Sequence, residues 1–114
     1  MISRKHTLPA SFFRKIHQKK ISPDRVLSLH TCHVRCYASG LRYSRYAVVV
    51  PNSAFSSVVS RNAFRRMAYE VIRSEKLTDV LGYDVVLLFG KMAGTFSKEE
   101  VKKDILKLRH VISI

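Results

Sequence analysis

Apolar residues recur at helical spacing in Leu8-Pro9-Ala10-Ser11-Phe12-Phe13-Arg14-Lys15-Ile16-His17, predicting a short basic helix with Phe12, Phe13 and Ile16 turned inward. A polar stretch from Lys19 to Asp24, closed by Ser22-Pro23-Asp24, reads as a loop. From about Leu27 to Tyr37 the pattern alternates and predicts a strand, followed by a turn at Ser39-Gly40. A second strand runs from about Arg45 through Ala47-Val48-Val49-Val50 and ends at Pro51-Asn52-Ser53, and the two are expected to pair as an antiparallel hairpin.

The period then returns to that of a helix over about Ser56 to Glu75. On a helical wheel Arg61, Asn62, Arg65, Arg66, Tyr69 and Arg73 fall within an arc of about 140°. Ala63, Phe64, Met67, Ala68, Val71 and Ile72 occupy the other side, which predicts a buried face opposite a basic one. After Gly82, the run Tyr83-Asp84-Val85-Val86-Leu87-Leu88-Phe89 suits a strand buried on both faces and flanked by neighbours. Gly90 to Gly94 reads as a loop, and Ser97-Lys98-Glu99-Glu100 has the form of a capping box opening a last helix with Val101, Ile105, Leu108 and Ile112 on one stripe. Helix, strands, helix, strand, helix implies an α+β fold with a small sheet and no internal repeat.

Charge changes this picture from architecture to partner. The chain has 114 residues and a formal net charge of +13, and its 46% hydrophobic content is that of a folded domain, so the expectation is one basic domain over 1–114. Residues 1–73 contain 14 Lys/Arg against only Asp24 and Glu70, whereas residues 74–114 contain 7 bases and 6 acids. Such a lopsided field favours a polyanion, nucleic acid first and an anionic membrane surface second. Two cysteines and no secretory signal pattern at the start point to a reducing, cytoplasmic setting, and no apolar run approaches the ~20 residues of a membrane-spanning helix.

Catalytic chemistry is hard to place on the chain. A metal-dependent nuclease needs clustered carboxylates, yet the eight acids are scattered. His17 has the chemistry of a general acid or base, but a lone histidine on a basic helix fits a surface or RNA-contacting role better. His30-Thr31-Cys32-His33-Val34-Arg35-Cys36 offers two thiols and two imidazoles, which raises a zinc reading. On a strand Cys32 and Cys36 would stand ~13 Å apart, which favours two semi-buried thiols. The alternation places His30, Cys32, Val34 and Cys36 on one face and His33, Arg35 and Tyr37 on the other. With only four glycines there is no phosphate-cradling loop.

The arginine arc is the sharper signal, because guanidinium groups without lysines favour multidentate phosphate contacts over mere solvation. His33, Arg35 and Tyr37, with His17 from the first helix, would add a second surface whose mixed aromatic and cationic groups suit single-stranded RNA.

Ser60-Arg61-Asn62-Ala63-Phe64-Arg65-Arg66 and the rest of that helix resemble the signature of the bacterial ribonuclease P protein subunit, whose pattern is close to R-N-R-x-K-R-x-x-R-E. Phe13-Arg14-Lys15-Ile16 resembles the family's F-x-x-V/I, Gly82-Tyr83-Asp84-Val85-Val86 its G-Y-D-I/V-V strand, and Ser97 to Leu108 its final helix, so the likeness covers about residues 8–112 in order. The resemblance implies an α-β-β-β-α-β-α fold with a mostly antiparallel sheet and a left-handed β-α-β crossover, like domain 2 of ribosomal protein S5, against the usual right-handed rule. It also implies an accessory subunit of a ribonucleoprotein endonuclease, a hydrolase that removes the 5′ leader of precursor tRNA with chemistry carried by ribonuclease P RNA and Mg2+ held mainly by that RNA. No catalytic or metal-ligating residue is then expected in the chain. Arg61, Asn62, Arg65, Arg66 and Glu70 match the arginine-rich helix, with Tyr69 and Arg73 on the same arc, and Phe13 matches the aromatic at the leader cleft beside His17, His33, Arg35 and Tyr37.

The expected partners are therefore ribonuclease P RNA and precursor tRNA, with no DNA and no membrane. The chain departs from the family where Ala63 replaces a basic residue, Tyr69 an arginine, His17 an aromatic, and Asn52-Ser53-Ala54-Phe55-Ser56 an S-K-K-V-G-like stretch. Lys19, Lys20 and Arg25 are candidates for the replacement charge. The rival readings are a ribosomal or other structured-RNA protein and a protein-only nuclease.

Overall fold

The computed structural model describes residues 4–79 and 82–112. Its main elements are α1 (Ala10–Lys19), β1 (Arg25–Ser28), β2 (Cys32–Ala38), β3 (Arg45–Val49), α2 (Val58–Ser74), β4 (Tyr83–Phe89) and α3 (Lys98–Ile112). The four strands form one sheet in the order β1-β2-β4-β3. β1 and β4 run antiparallel to β2, and β3 runs parallel to β4 through the crossover that contains α2.

Two expectations about strands change. The single strand over Leu27 to Tyr37 is two strands folded on each other, closed by a hydrogen bond from Leu29 N–H to Cys32 O at 2.8 Å. The turn is fixed by a residue far along the chain. Asp104 on α3 accepts from the Thr31 backbone N–H at 2.6 Å and from its hydroxyl at 2.7 Å, a contact that local alternation does not reveal. Nor do the strands on either side of Ser39-Gly40 pair with each other, because β4 lies between β2 and β3. Its apolar run fills the centre of the sheet, as a strand buried on both faces must.

The principal core lies on one side of the sheet. Cys32, Val34, Cys36, Tyr46, Val48, Val85, Leu87 and Phe89 meet Phe64, Ala68, Val71 and Ile72 of α2 and Val101, Ile105 and Leu108 of α3. Ala63 is exposed, a correction to its expected place on the apolar face, because the buried stripe centres on Phe64 and Ala68 instead. The side chain of Ile112 lies outside the described residues. On the other side a smaller cluster joins Leu8, Tyr37, Ala47 and Val86, with Phe12, Ile16 and Leu88 packed against it. Leu8 was expected in the first helix but precedes it: its N–H reaches Tyr46 O at 2.9 Å, and the helix begins after Pro9.

The helix ends follow their sequences. The capping box forms in both directions, Ser97 N–H to Glu100 Oε1 at 3.0 Å and Glu100 N–H to Ser97 Oγ at 3.1 Å. The α2 C-terminus is tied to α3 by Arg109, which donates to Glu75 O at 2.6 Å and pairs with its carboxylate. Cys32 and Cys36 are both free and buried, and burial pushes each thiol up from 9.0 to about 11.

These thiols should react slowly with a disulfide reagent at pH 8 until the chain is denatured, since a thiolate is the attacking species. The raised folded-state value has a defined sign: the stabilisation is intact below the unfolded pKa of about 9 and is lost as pH rises from there toward about 11. Urea midpoints should therefore fall across that alkaline window in the parent chain and fall less in a variant with both cysteines replaced by alanine.

Gly94 tests the packing of the β4–α3 connection against the entry to α2. A Cβ there would stand 2.9 Å from Ala54 O and 3.3 Å from the Phe55 ring, whereas one at Gly90 would meet nothing within 4 Å. Gly94→Ala should destabilise by about 1–3 kcal/mol, the cost of forcing a packed backbone aside, and lower Tm by several degrees. Gly90→Ala should leave thermal unfolding nearly unchanged.

Candidate nucleic-acid interface

Helix α2 begins where Ser57 accepts a hydrogen bond from Ser60 N–H at 3.1 Å. Because Phe64, Ala68, Val71 and Ile72 face the sheet, the opposite side must face solvent. Arg65 and Arg66 are exposed there, and Arg61 and Asn62 are half-buried on its flank. Arg61 and Arg65 also line a groove beside Val48, Val49, Val50 and Asn52, at the edge strand β3. The arginine arc is thus assembled on one rigid element.

Two of its expected members have other engagements. Arg73 forms a multidentate ion pair with Glu70, donating through Nε to both carboxylate oxygens, at 3.1 and 3.0 Å, and through Nη2 to Oε1. That guanidinium holds the Glu70 carboxyl down at about 2. Tyr69 is half-buried, and its hydroxyl accepts a hydrogen bond from the Val48 backbone N–H at 3.1 Å. Its wheel position is the expected one, but its hydroxyl satisfies an edge-strand donor that would otherwise lack a strand partner.

The second surface is the face of the sheet beneath α1. Strand register sets His33 beside Ser28 and Leu88, Arg35 beside Val26 and Val86, and Tyr37 beside Asp84. Helix α1 covers only part of this face, so His33 and Arg35 are exposed, and Ser28 Oγ lies 3.0 Å from His33 Nδ1. Tyr37 is on the expected face yet only 7% exposed, with its ring edge-to-face against Phe12 at 5.4 Å. It is a core residue beneath α1, which corrects its reading as an open stacking platform. Phe13 and His17 are exposed on α1, which corrects the inward reading of Phe13, whose ring lies on the outer flank of the helix edge-to-face with Phe12. His30 turns away to α3, where Nε2 meets Glu100 Oε2 at 2.9 Å.

Sequence reasoning passed over Lys15, Arg45 and Asp84. With Phe12, Ile16 and Tyr37 they line a groove of about 360 Å³ between α1 and the sheet. Asp84 is buried and receives Arg45 through Nε at 2.8 Å and Nη2 at 2.7 Å, which pushes the arginine pKa up. The available signal was a carboxylate inside an apolar central strand, a group that cannot be buried without a partner. Among the described residues no three His, Cys, Asp or Glu side chains converge as a metal set, and no described helix is long and apolar enough to cross a membrane.

The described residues thus carry exposed cationic side chains on two separate elements, the outer side of α2 and the sheet face partly covered by α1. The Ribonuclease P family model matches residues 10–113. No curated protein matches the chain. Among solved structures, the Staphylococcus aureus RNase P protein, in a mutant with defective mRNA degradation activity, superposes with a TM-score of 0.75 at 14% identity, over 95% of this chain and 88% of that one. The Thermotoga maritima RNase P protein gives 0.71 at 22% identity over 94% of each chain. At these identities the structures establish a shared fold, and the family match, running through nearly the whole length, establishes descent: the chain belongs to the ribonuclease P protein family.

Proposed function

We propose that this chain is the protein subunit of ribonuclease P, that α2 holds the catalytic RNA through Arg61, Asn62, Arg65 and Arg66, and that the α1-covered sheet face receives the single-stranded 5′ leader of precursor tRNA. The observation that carries the reading is the separation of two cationic surfaces on different elements of a chain whose family is ribonuclease P. One surface presents guanidinium groups on a single helix, suited to phosphates fixed along a folded RNA. The other is a partly covered sheet face bearing His33 and Arg35, with Lys15 and exposed Phe13 on α1, suited to a flexible strand whose bases and phosphates both need partners.

The division of labour follows from the side chains. The buried carboxylates Asp84 and Asp104 are occupied by Arg45 and Thr31, so neither is placed to activate water. The RNA partner would hold Mg2+, which supplies the hydrolytic chemistry. The chain contributes positive potential where two polyanions approach, and the Arg45–Asp84 pair fixes the floor of the groove in which the leader lies. The complex acts in the cytoplasm as an endoribonuclease that yields mature tRNA 5′ ends.

The direct test is cleavage of precursor tRNA with and without ribonuclease P RNA. The purified chain alone should leave the substrate intact, and added to the RNA it should restore cleavage at low magnesium. RNA-free cleavage that survives repurification and is lost on mutating His17 would instead make the chain a nuclease in its own right. Arg65→Ala and Arg66→Ala should each weaken RNA binding by about 1 kcal/mol or more, with circular dichroism unchanged, because both side chains are exposed opposite the packed face.

The leader surface has its own expectation. His33→Ala and Arg35→Ala should lower holoenzyme affinity for precursor tRNA several-fold and leave mature tRNA, which has no leader, unaffected. Tyr37→Ala should act on the fold instead, costing about 3 kcal/mol as a cavity beneath α1. Equilibrium binding of both tRNAs beside urea unfolding separates these outcomes, and equal loss of both tRNAs in Arg35→Ala would remove the leader from this surface.

A further inference from the structure

Ser28 and His33 stand opposite each other across the β1–β2 pair, on the part of the sheet face that α1 leaves open. Ser28 Oγ lies 3.0 Å from His33 Nδ1, and both side chains are exposed. The hydroxyl therefore engages one ring nitrogen, and Nε2 is the nitrogen left for a ligand. Among the described residues no carboxylate stands beside this pair in the strand register. β1 brings Val26, β4 brings Val86 and Leu88, and β2 itself brings Arg35. Helix α1, packed on the other part of the face, brings Lys15 and His17, and Asp84, two paired positions beyond Leu88, is held by Arg45.

We propose that Ser28 is a positioning residue, which holds His33 so that Nε2–H donates to a phosphate oxygen of the leader. The proposal rests on the reading of this face as the leader surface and names the atoms that make one of its contacts. A neutral imidazole has one donor nitrogen and one acceptor nitrogen, and the partner of the first decides which face the second shows to a ligand. An acceptor turned toward a phosphate would repel it. A serine hydroxyl can donate or accept, so it suits both charge states of the ring. Beside the neutral ring it donates to Nδ1, which places the proton on Nε2; beside the imidazolium it accepts from Nδ1–H, and Nε2–H is unchanged. The outward group is then a donor in either state. Val26 and Leu88, the other side chains near His33 in the register, offer no such anchor, so without Ser28 the neutral ring is free to turn over or exchange tautomers and present a lone pair. A phosphate fits better than a base edge because the remaining polar groups around His33 on this face, Arg35 with Lys15 and His17 of α1, bring positive charge or further donors.

The test measures binding of precursor tRNA by the holoenzyme at fixed salt, at pH 5.5 and pH 8, which bracket the range in which imidazoles titrate. Mature tRNA, measured in parallel, corrects for effects of pH on the RNA subunit. Ser28→Ala should lower the precursor-over-mature preference about threefold at pH 8, where the ring is neutral and its orientation matters, and hardly at all at pH 5.5, where both nitrogens of the imidazolium donate. Ser28→Thr, which keeps the hydroxyl, should restore the parent value at both. The loss should be the same for an all-uridine and an all-adenine leader, because the phosphates are common to them. In the free chain at pH 8, long-range 15N–1H spectra should show the His33 proton on Nε2, and a mixture of tautomers in Ser28→Ala. A loss in Ser28→Ala that is equal at the two pH values, or that threonine does not restore, would overturn the proposal, as would a loss confined to one leader or a parent ring protonated on Nδ1. If His33→Ala lowers the preference and Ser28→Ala does not, the leader surface stands and the positioning role of Ser28 is rejected. If His33→Ala has no effect on the preference, both fail.

Discussion

Strand β4 can meet water on neither face, and the rest of the molecule is arranged to satisfy that. Val85, Leu87 and Phe89 point into one core and Val86 and Leu88 toward the other, so both sides of the sheet have to be covered. On the first side α2 and α3 provide the cover, and α2 can do so only by turning its apolar stripe inward, which leaves Arg65 and Arg66 no direction but outward. The second side has one ten-residue helix to cover it, and α1 packs on Tyr37 while leaving His33 and Arg35 exposed. The uncovered remainder is the surface on which His33 and Arg35 stand. Both candidate interfaces are thus by-products of how a single strand is kept dry.

Two carboxylates pin this arrangement. Asp84 and Asp104 are 4% and 1% exposed, and each is held by strong donors from an element distant in sequence. Removing one partner of such a pair leaves a buried charge uncompensated, which costs far more than the pair itself contributes. Their placement differs in consequence. Thr31–Asp104 sets the turn between β1 and β2 against α3, on the side away from α1, whereas Arg45–Asp84 lies in the groove under α1 and joins the packing of β3 to the shape of that groove.

What could be read from the chain was whatever depends on neighbours within a turn or two. The two faces of α2, apart from Ala63, the capping box at Ser97 and the doubly buried run of β4 all rest on short-range periodicity, and each appears in the structure as expected. What escaped depends on distant partners. The break in the Leu27–Tyr37 pattern is imposed by Asp104, and the burial of Tyr37 by a helix that lies above its half of the sheet. The insertion of β4 between β2 and β3 is a competition among strands that local alternation cannot rank. For the site, the exposed arginines followed from periodicity, but the engagements of Tyr69 and Arg45 required knowing which strand edge and which carboxylate would arrive beside them.

The hydroxyl of Tyr69 on the Val48 amide gives α2 a second duty. An outer strand with open amides is a template on which another chain can build, and folded proteins guard such edges with charges, bulges or cover. Here β3 is guarded near one end by the segment around Thr7 and Leu8 and further along by a phenol carried on α2. The helix proposed to meet the nucleic acid is therefore also a lock on the sheet. A substitution at Tyr69 would reopen a route to self-association, so solubility limits what the proposed RNA face can carry at that one position.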